Sequence, residues 1–145
     1  MLSISKKVKE LNLPLGKYVV VGGAMEAMGI RQANDIDIVV TEDLFNELIR
    51  KGWPICECEK CRDMRKNGSR YRVLKSQGVD IFPDYSWRDK YLANTEELIK
   101  NANVIDGVPY VQLEELLKWK TAAAREKDLK DIKLIESFLR EQKSN

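Results

Sequence analysis

A chain of 145 residues is long enough to bury one core and too short for two, so a single domain spanning 1–145 is expected. Its 43% hydrophobic and 33% charged residues exclude a disordered or membrane-embedded chain, and 25 Lys plus Arg against 23 Asp plus Glu leave a charge of +2, too small for nucleic-acid binding by bulk charge alone. There is no histidine, which removes Ser-His-Asp hydrolysis, Cys-His proteolysis and zinc-histidine chemistry and leaves carboxylates, lysine, arginine or a bound metal.

In chain order, Ile4, Val8 and Leu11 recur at helical spacing behind a serine cap and predict a short amphipathic helix over 3–12, stopped by Pro14. No run approaches the roughly 20 apolar residues of a membrane span, and the N-terminus lacks the apolar region of a signal peptide, so a cytoplasmic protein without membrane contact is expected. "KYVVVGG" reads as a buried strand ending in a glycine turn, and "AMEAMGI" as a helix closed by a glycine. "DIDIVV" is the second strand, and "TEDLFNELIRKG" a helix with Thr41 as N-cap, acids in its first turn and Gly52 past its end. A polar, cysteine-containing connection follows. "RYRVLKS" and "VDIFPD" are two more strands around the turn "QG", "TEELIKNA" is a short helix, and "NVIDGVPYV" a small hairpin or extended turn around Asp106-Gly107. The remainder predicts two helices broken near Arg125 to Lys127. Leu113, Leu116, Leu117 and Ala124 face inward on the first, Leu129, Ile132, Ile135 and Leu139 on the second, and the last residues, "QKSN", form a frayed tail. The fold class is α+β, a central mixed sheet flanked by helices with two helices at the C-terminus.

Two acids inside a strand call for a physical reason. Side chains alternate along a strand, so Asp35 and Asp37 share one face, about 6–7 Å apart, while Ile36 and Ile38 enter the core. Carboxylates so placed repel unless a positive group lies between them, and a hard divalent cation such as Mg²⁺, which takes a few carboxylates plus water and phosphate oxygens, suits them. Asp80 in "VDIF" shows the same alternation, and if its strand neighbours the first, three acids converge on one patch. Glycines that let backbone N–H groups approach phosphate complete a phosphoryl-transfer site.

Gly22-Gly23, an eleven-residue gap, Asp35-Ile-Asp37 and a later Val-Asp80-Ile resemble the nucleotidyltransferase superfamily that includes DNA polymerase beta, antibiotic nucleotidyltransferases and CCA-adding enzymes. The resemblance covers most of the chain. It implies that Gly22 and Gly23 grip a triphosphate, that Asp35 and Asp37 bind catalytic Mg²⁺ or Mn²⁺, and that Asp80 serves as ligand or base for the attacking hydroxyl. "LLKWKTAAAREKDLKDI" is similar to the helical segment of the AbiEii-like branch, which implies nucleotide-site roles for Lys120, Arg125, Lys127, Asp128 and Asp131. Lys120 would neutralise a phosphate and Asp131 would orient a basic neighbour. Solvated helix charges, and acids favouring the start of the last helix through its dipole, are the other readings. The implied partners are an NTP and an acceptor hydroxyl on a small molecule, RNA or protein. The rival reading is a non-catalytic nucleotide-binding or protein-interaction module, one half of a toxin–antitoxin-like pair with a partner protein.

Cys56, Cys58 and Cys61 are an odd number crowded into six positions, unlike a disulfide framework. They could supply three thiolates to Zn²⁺ with Glu57, Glu59 or Asp63 as a fourth ligand, or remain reduced thiols. The first of these gives a third functional reading, a zinc-stabilised nucleic-acid binder. The basic residues of "CRDMRKNGSRYR" would steer an anionic substrate if this loop lies over the acidic patch, and are otherwise a solvated loop. Trp53, Trp87 and Trp119 are expected in or beside the core, with Trp87 also placed to stack on a base.

Overall fold

The computed structural model describes residues 1–33, 35–66 and 72–144. Among them are seven helices and one six-stranded mixed sheet, the α+β class expected. The elements run α1 (Ser3–Lys9), β1 (Tyr18–Gly22), α2 (Ala24–Ala27), β2 (Ile36–Val40), α3 (Glu42–Arg50), α4 (Glu59–Met64), β3 (Leu74–Ser76), β4 (Val79–Phe82), α5 (Thr95–Lys100), β5 (Asn103–Ile105), β6 (Val108–Tyr110), α6 (Leu113–Ala123) and α7 (Glu126–Ser144). Among the described residues, no helix is long and apolar enough to cross a membrane.

The sheet order is β3-β4-β2-β1-β6-β5. β1 is antiparallel to β2 and parallel to β6, and β2 is parallel to β4. β1 and the last three residues of β2 are valine- and isoleucine-rich and almost wholly buried, as central strands covered on both faces must be. Two tight turns close the outer hairpins. Gln77-Gly78 and Asp106-Gly107 both have positive φ at both positions (56° and 77°, 57° and 79°), the primed turn that matches strand twist.

α1 packs against α2 and β6. Ser5 is buried with its hydroxyl 2.7 Å from that of Tyr110, and Ile4 reaches the backbone at Gly23. Thr41 caps α3 as expected, its hydroxyl accepting from the Leu44 N–H at 3.4 Å, and Leu44, Phe45 and Leu48 are its buried stripe.

Several boundaries differ from the sequence reading. The residue before α1 is Leu2, which has no side-chain cap, so Ser3 is the first helical residue; the helix ends at Lys9, and Asn12 at φ 53° turns the chain out before Pro14. The cysteine connection contains α4, whose only buried residue is Cys61, so no apolar period advertised it. Ala124 is exposed and left-handed at φ 49°, which ends α6 and re-aims the chain. α7 therefore turns Asp128, Asp131 and Ile135 inward at spacings of three and four, and Leu129, one step round the helix from Asp128, is 52% exposed. Ile132 and Leu139 are half-buried. Instead of fraying at residue 142, α7 continues to Ser144. Arg70 and Tyr71 of the third predicted strand, and Asn145 of the predicted tail, lie outside the described residues.

Candidate active site

The acid patch is built by strand register. In the parallel ladder of β2 and β4, Asp37 stands directly beside Asp80, so both side chains leave the same face of the sheet. Asp35 is exposed and precedes β2 rather than belonging to it. The antiparallel ladder with β1 has an extra residue, since Val20 pairs with Ile38 but Gly22 pairs with Asp37. This bulge at Val21 puts a glycine where a valine would otherwise face the acid. A Cβ on Gly22 would run into the Asp37 carboxylate, so the close approach of backbone and acid requires glycine. Gly23, at φ 123°, stands just before α2 and has no room for a side chain beside Ile4.

The electrostatics follow from this crowding. Burial raises the Asp37 carboxyl from 3.8 to about 6, with Asp80 and then Asp35 adding to it, while Lys127 and Lys120 pull the other way. Burial also raises Asp80, Asp35 adds to that, and Lys75 and Lys60 oppose it. Three acids therefore act on one another as like charges. Among the described residues, no trio that includes them brings its oxygens as close together as the 4.8 Å within which the three cysteine sulfurs lie. Lys75 sits opposite Asp80 in the β3–β4 hairpin, Nζ to Oδ2 3.9 Å.

The helix residues form a second, interlocked cluster. Asp131 is buried and accepts from Arg31 Nε and Nη2 at 2.8 Å each, and from Lys120 Nζ at 2.9 Å. Lys120 also lies 3.7 Å from the fully buried Asp128. Its ammonium, expected to meet a phosphate, is thus engaged by two carboxylates, and its side chain is 12% exposed. Arg125 donates through Nε at 2.6 Å and Nη2 at 3.1 Å to Asp128, whose Oδ2 also accepts the Arg125 backbone N–H at 3.1 Å. That last bond caps α7 from its third residue, in the manner of a capping box. Burial pushes Asp128 and Asp131 upward, but hydrogen bonds from Arg125, and from Arg31 and Lys120, outweigh it and hold both carboxyls below their ordinary value. Lys127 is exposed and has no hydrogen-bonded or ion-paired partner among the described residues.

An aromatic wall flanks the helix cluster at Arg125. Buried Tyr85 stacks on Trp119 at 5.3 Å and 9°, Trp87 meets Trp119 edge-on at 5.4 Å, and the Arg125 guanidinium lies over Trp119 and Trp87 at 5.1 and 5.5 Å. Trp53 and Trp119 pack against the core and Trp87 is half-buried.

Cys56, Cys58 and Cys61 bring their sulfurs within 4.8 Å of one another and could hold a metal ion. Hydrogen bonding from the Cys61 backbone and from Cys56 lowers the Cys58 thiol from 9.0 to about 7, whereas burial pushes Cys61 up to about 12. Of the basic residues that follow, Arg65 bonds Glu57, Lys66 bonds Asp63 and Arg72 bonds Glu42, while Arg70 is outside the described residues.

Sequence reasoning missed Arg31, Tyr85, Lys60 and Lys75. Hairpin arithmetic across the two-residue turn gives Lys75 opposite Asp80 and would have found it; Arg31 carried no local signal, because its partner is 100 residues away. No protein-family model matches the chain, and no curated protein matches it either.

Proposed function

We propose that this chain is a Mg²⁺-dependent nucleotidyltransferase that moves a nucleoside monophosphate from an NTP to a hydroxyl acceptor and releases pyrophosphate. The observation that carries the reading is the pair Asp37 and Asp80, abreast on parallel strands with Gly22 drawn up against Asp37 and Asp35 within electrostatic reach. Such mutual repulsion is relieved by a hard cation with phosphate oxygens in its remaining positions. Asp35 and Asp37 would hold Mg²⁺ or Mn²⁺, whose chemistry there is to neutralise phosphate charge and acidify a bound hydroxyl. The backbone at Gly22 and Gly23 and the unpaired Lys127 face the triphosphate; Lys120, Arg125 and Asp131 hold the helices in place around it. The acceptor oxygen bonds the α-phosphorus as the bond to the bridging oxygen breaks, pyrophosphate leaves with that electron pair, and the hydroxyl proton passes to Asp80, whose raised pKa suits it to receive one.

The metal that best fits the cysteine trio is Zn²⁺, since soft thiolates favour it over hard cations. Among the described residues no carboxylate joins the three sulfurs, and Glu57 and Asp63 are paired with Arg65 and Lys66, so water would take the fourth position. Three reduced thiols are in keeping with work in the cytoplasm.

The test is Mg²⁺-dependent thermal shift with each of the common NTPs, run beside Asp35→Asn and Asp37→Asn. A shift that needs the metal and both acids, followed by pyrophosphate release once an acceptor is supplied, is the expected result. Binding without pyrophosphate release under any acceptor would instead favour the non-catalytic module, and no shift in Mg²⁺ or Mn²⁺ would overturn the nucleotide site altogether.

A further inference from the structure

The cysteine segment is pinned at one end and open at the other. Ile55 bridges Leu74, the Cys56 N–H donates to the Val73 carbonyl at 2.8 Å and the Lys75 N–H to the Pro54 carbonyl at 3.2 Å, so residues 54–56 extend the ladder beyond β3. The Cys56 carbonyl accepts from Arg65 Nη1 at 3.3 Å and Nη2 at 3.4 Å. Cys56 is therefore fixed through both of its backbone groups. Cys58 stands exposed at the start of α4, and Cys61, within the first turn, is the buried residue of that helix. Residues three apart on a helix are neighbours, and Cys58-Glu59-Lys60-Cys61 has the C-x-x-C spacing of reversible dithiols. All three thiols are free with sulfurs within 4.8 Å of one another, so side-chain rotation brings a pair to the ~2 Å of a disulfide bond. Exposure then gives each sulfur a part: an oxidant arriving from solvent meets Cys58 first, and the shielded Cys61 is the neighbour that resolves the product.

We propose that Cys58 and Cys61 form a reversible, peroxide-sensitive dithiol, whose disulfide and the metal-bound trio are mutually exclusive states of one segment. The Cys58 sulfur attacks one oxygen of hydrogen peroxide, the O–O bond breaks and a water leaves, which gives a sulfenic acid. The Cys61 sulfur then attacks that of Cys58, the S–S bond forms as the S–O bond breaks, and the departing hydroxide takes the Cys61 proton as a second water. Two thiols have given two electrons to the peroxide, and a dithiol reductant restores them by exchange. The two states exclude each other because the disulfide consumes two of the three sulfurs that could hold a metal and leaves Cys56 alone. The inference stands on the cysteines and needs neither the acid patch nor a nucleotide.

The experiment is oxidation of the reduced, chelator-treated protein by a small excess of hydrogen peroxide, followed by thiol titration and by tryptic mass spectrometry without reduction. Trypsin cuts after Lys51, Lys60 and Arg62, so Cys56 and Cys58 share the peptide 52–60 while Cys61 lies on the peptide 61–62. Two of the three thiols should be lost, the two peptides should be joined, and dithiothreitol should return all three thiols. Cys56→Ser should keep the link, and Cys58→Ser, at an exposed position, should abolish it. Protein loaded with Zn²⁺ beforehand should lose its thiols more slowly and release the metal in step with the disulfide. A bond within the peptide 52–60, a link that survives Cys58→Ser, a bond between two molecules, or oxidation of Cys58 onward to sulfinic acid with no link would each overturn the dithiol. Zn²⁺ that binds without slowing the oxidation, or that stays on the disulfide form, would overturn the exclusion of one state by the other.

Discussion

Asp37 carries a charge that the fold accommodates poorly, and replacing it by asparagine should make the metal-free protein more stable. Its carboxyl rises from 3.8 to about 6 on folding, first through burial and then through Asp80 and Asp35. A group whose folded pKa lies above its unfolded value adds stability that is complete below about 4 and is lost as pH rises through about 6. At neutral pH the ionised acid therefore costs the fold ~3 kcal/mol. Asn has the same shape and no charge. Asp37→Asn should melt several degrees above the wild type at pH 7.5 without divalent metal, at ~3 °C per kcal/mol for a chain of this size, and the two curves should converge as pH falls toward 4. Mg²⁺ reverses the order, because only the wild type keeps both carboxylates to bind it. The assay is a melting series in chelator and in Mg²⁺ between pH 4 and 8. A variant less stable than wild type at pH 7.5 in chelator, by the same margin at pH 4.5, would refute the account of a strained acid patch.

Gly22→Ala puts a methyl group against the Asp37 carboxylate and should cost ~1–3 kcal/mol while abolishing the NTP-induced thermal shift; a normal shift would mean that the close approach is incidental. Asp128→Asn strips the fully buried partner from Arg125 and Lys120, and a loss of ~3 kcal/mol by chemical denaturation is expected, against little change if the cluster is only a solvated charge group. Alkylation of Cys58 should accelerate with a midpoint near pH 7 instead of the ordinary 9.0, and Zn²⁺ should suppress it. A rate that first climbs above pH 8, or that ignores Zn²⁺, would count against the assembled trio. Thr41→Ala should cost ~1 kcal/mol through the lost cap of α3, read from the shift in denaturation midpoint.

The parts of this molecule that were legible in the sequence are those whose cause is local. The β1 run ending in paired glycines, the Thr41 cap, both primed turns and the break before α7 all depend on residues within a few positions of one another, and each appears where those residues put it. The same holds for Asp37 and Asp80, because strand alternation dictates their face and the remaining unknown was only whether their strands touch. What was illegible depended on distant partners or on register. Nothing in "YVVVGG" announces a bulge at Val21, and without it the glycine would not face the acid. Leu129 looks like core by spacing, yet the left-handed Ala124 rotates α7 until Asp128 and Asp131 take the inward positions, satisfied by Arg31, Lys120 and Arg125. Hydrophobic periodicity fails there because the inward face is ionic.

The two halves of the candidate site differ in how firmly they are held. Asp37 and Asp80 are fixed by ladder bonds on both sides, so their separation is a property of the sheet. Asp35 is not in the ladder. The stretch leading to it is held by the Arg31 fork on Asp131, the Arg31 bond to the Gln32 carbonyl at 2.7 Å, and the Ala33 N–H on Glu26 at 3.1 Å. Arg31 in turn shares Asp131 with Lys120, whose charge reaches Asp37. The exposed acid is thus tied to the helices, and the two strand acids to the sheet, with one ion network between them. Under the metal reading proposed above, a cation at Asp37 would meet two carboxylates placed by the sheet and a third, Asp35, from outside the ladder. It follows that Arg31→Met should weaken Mn²⁺ binding by acting on Asp35 alone: the affinity should fall to that of Asp35→Asn, and combining the two changes should cost nothing further. Additive losses would mean that Arg31 supports the fold as a whole rather than the position of that one acid.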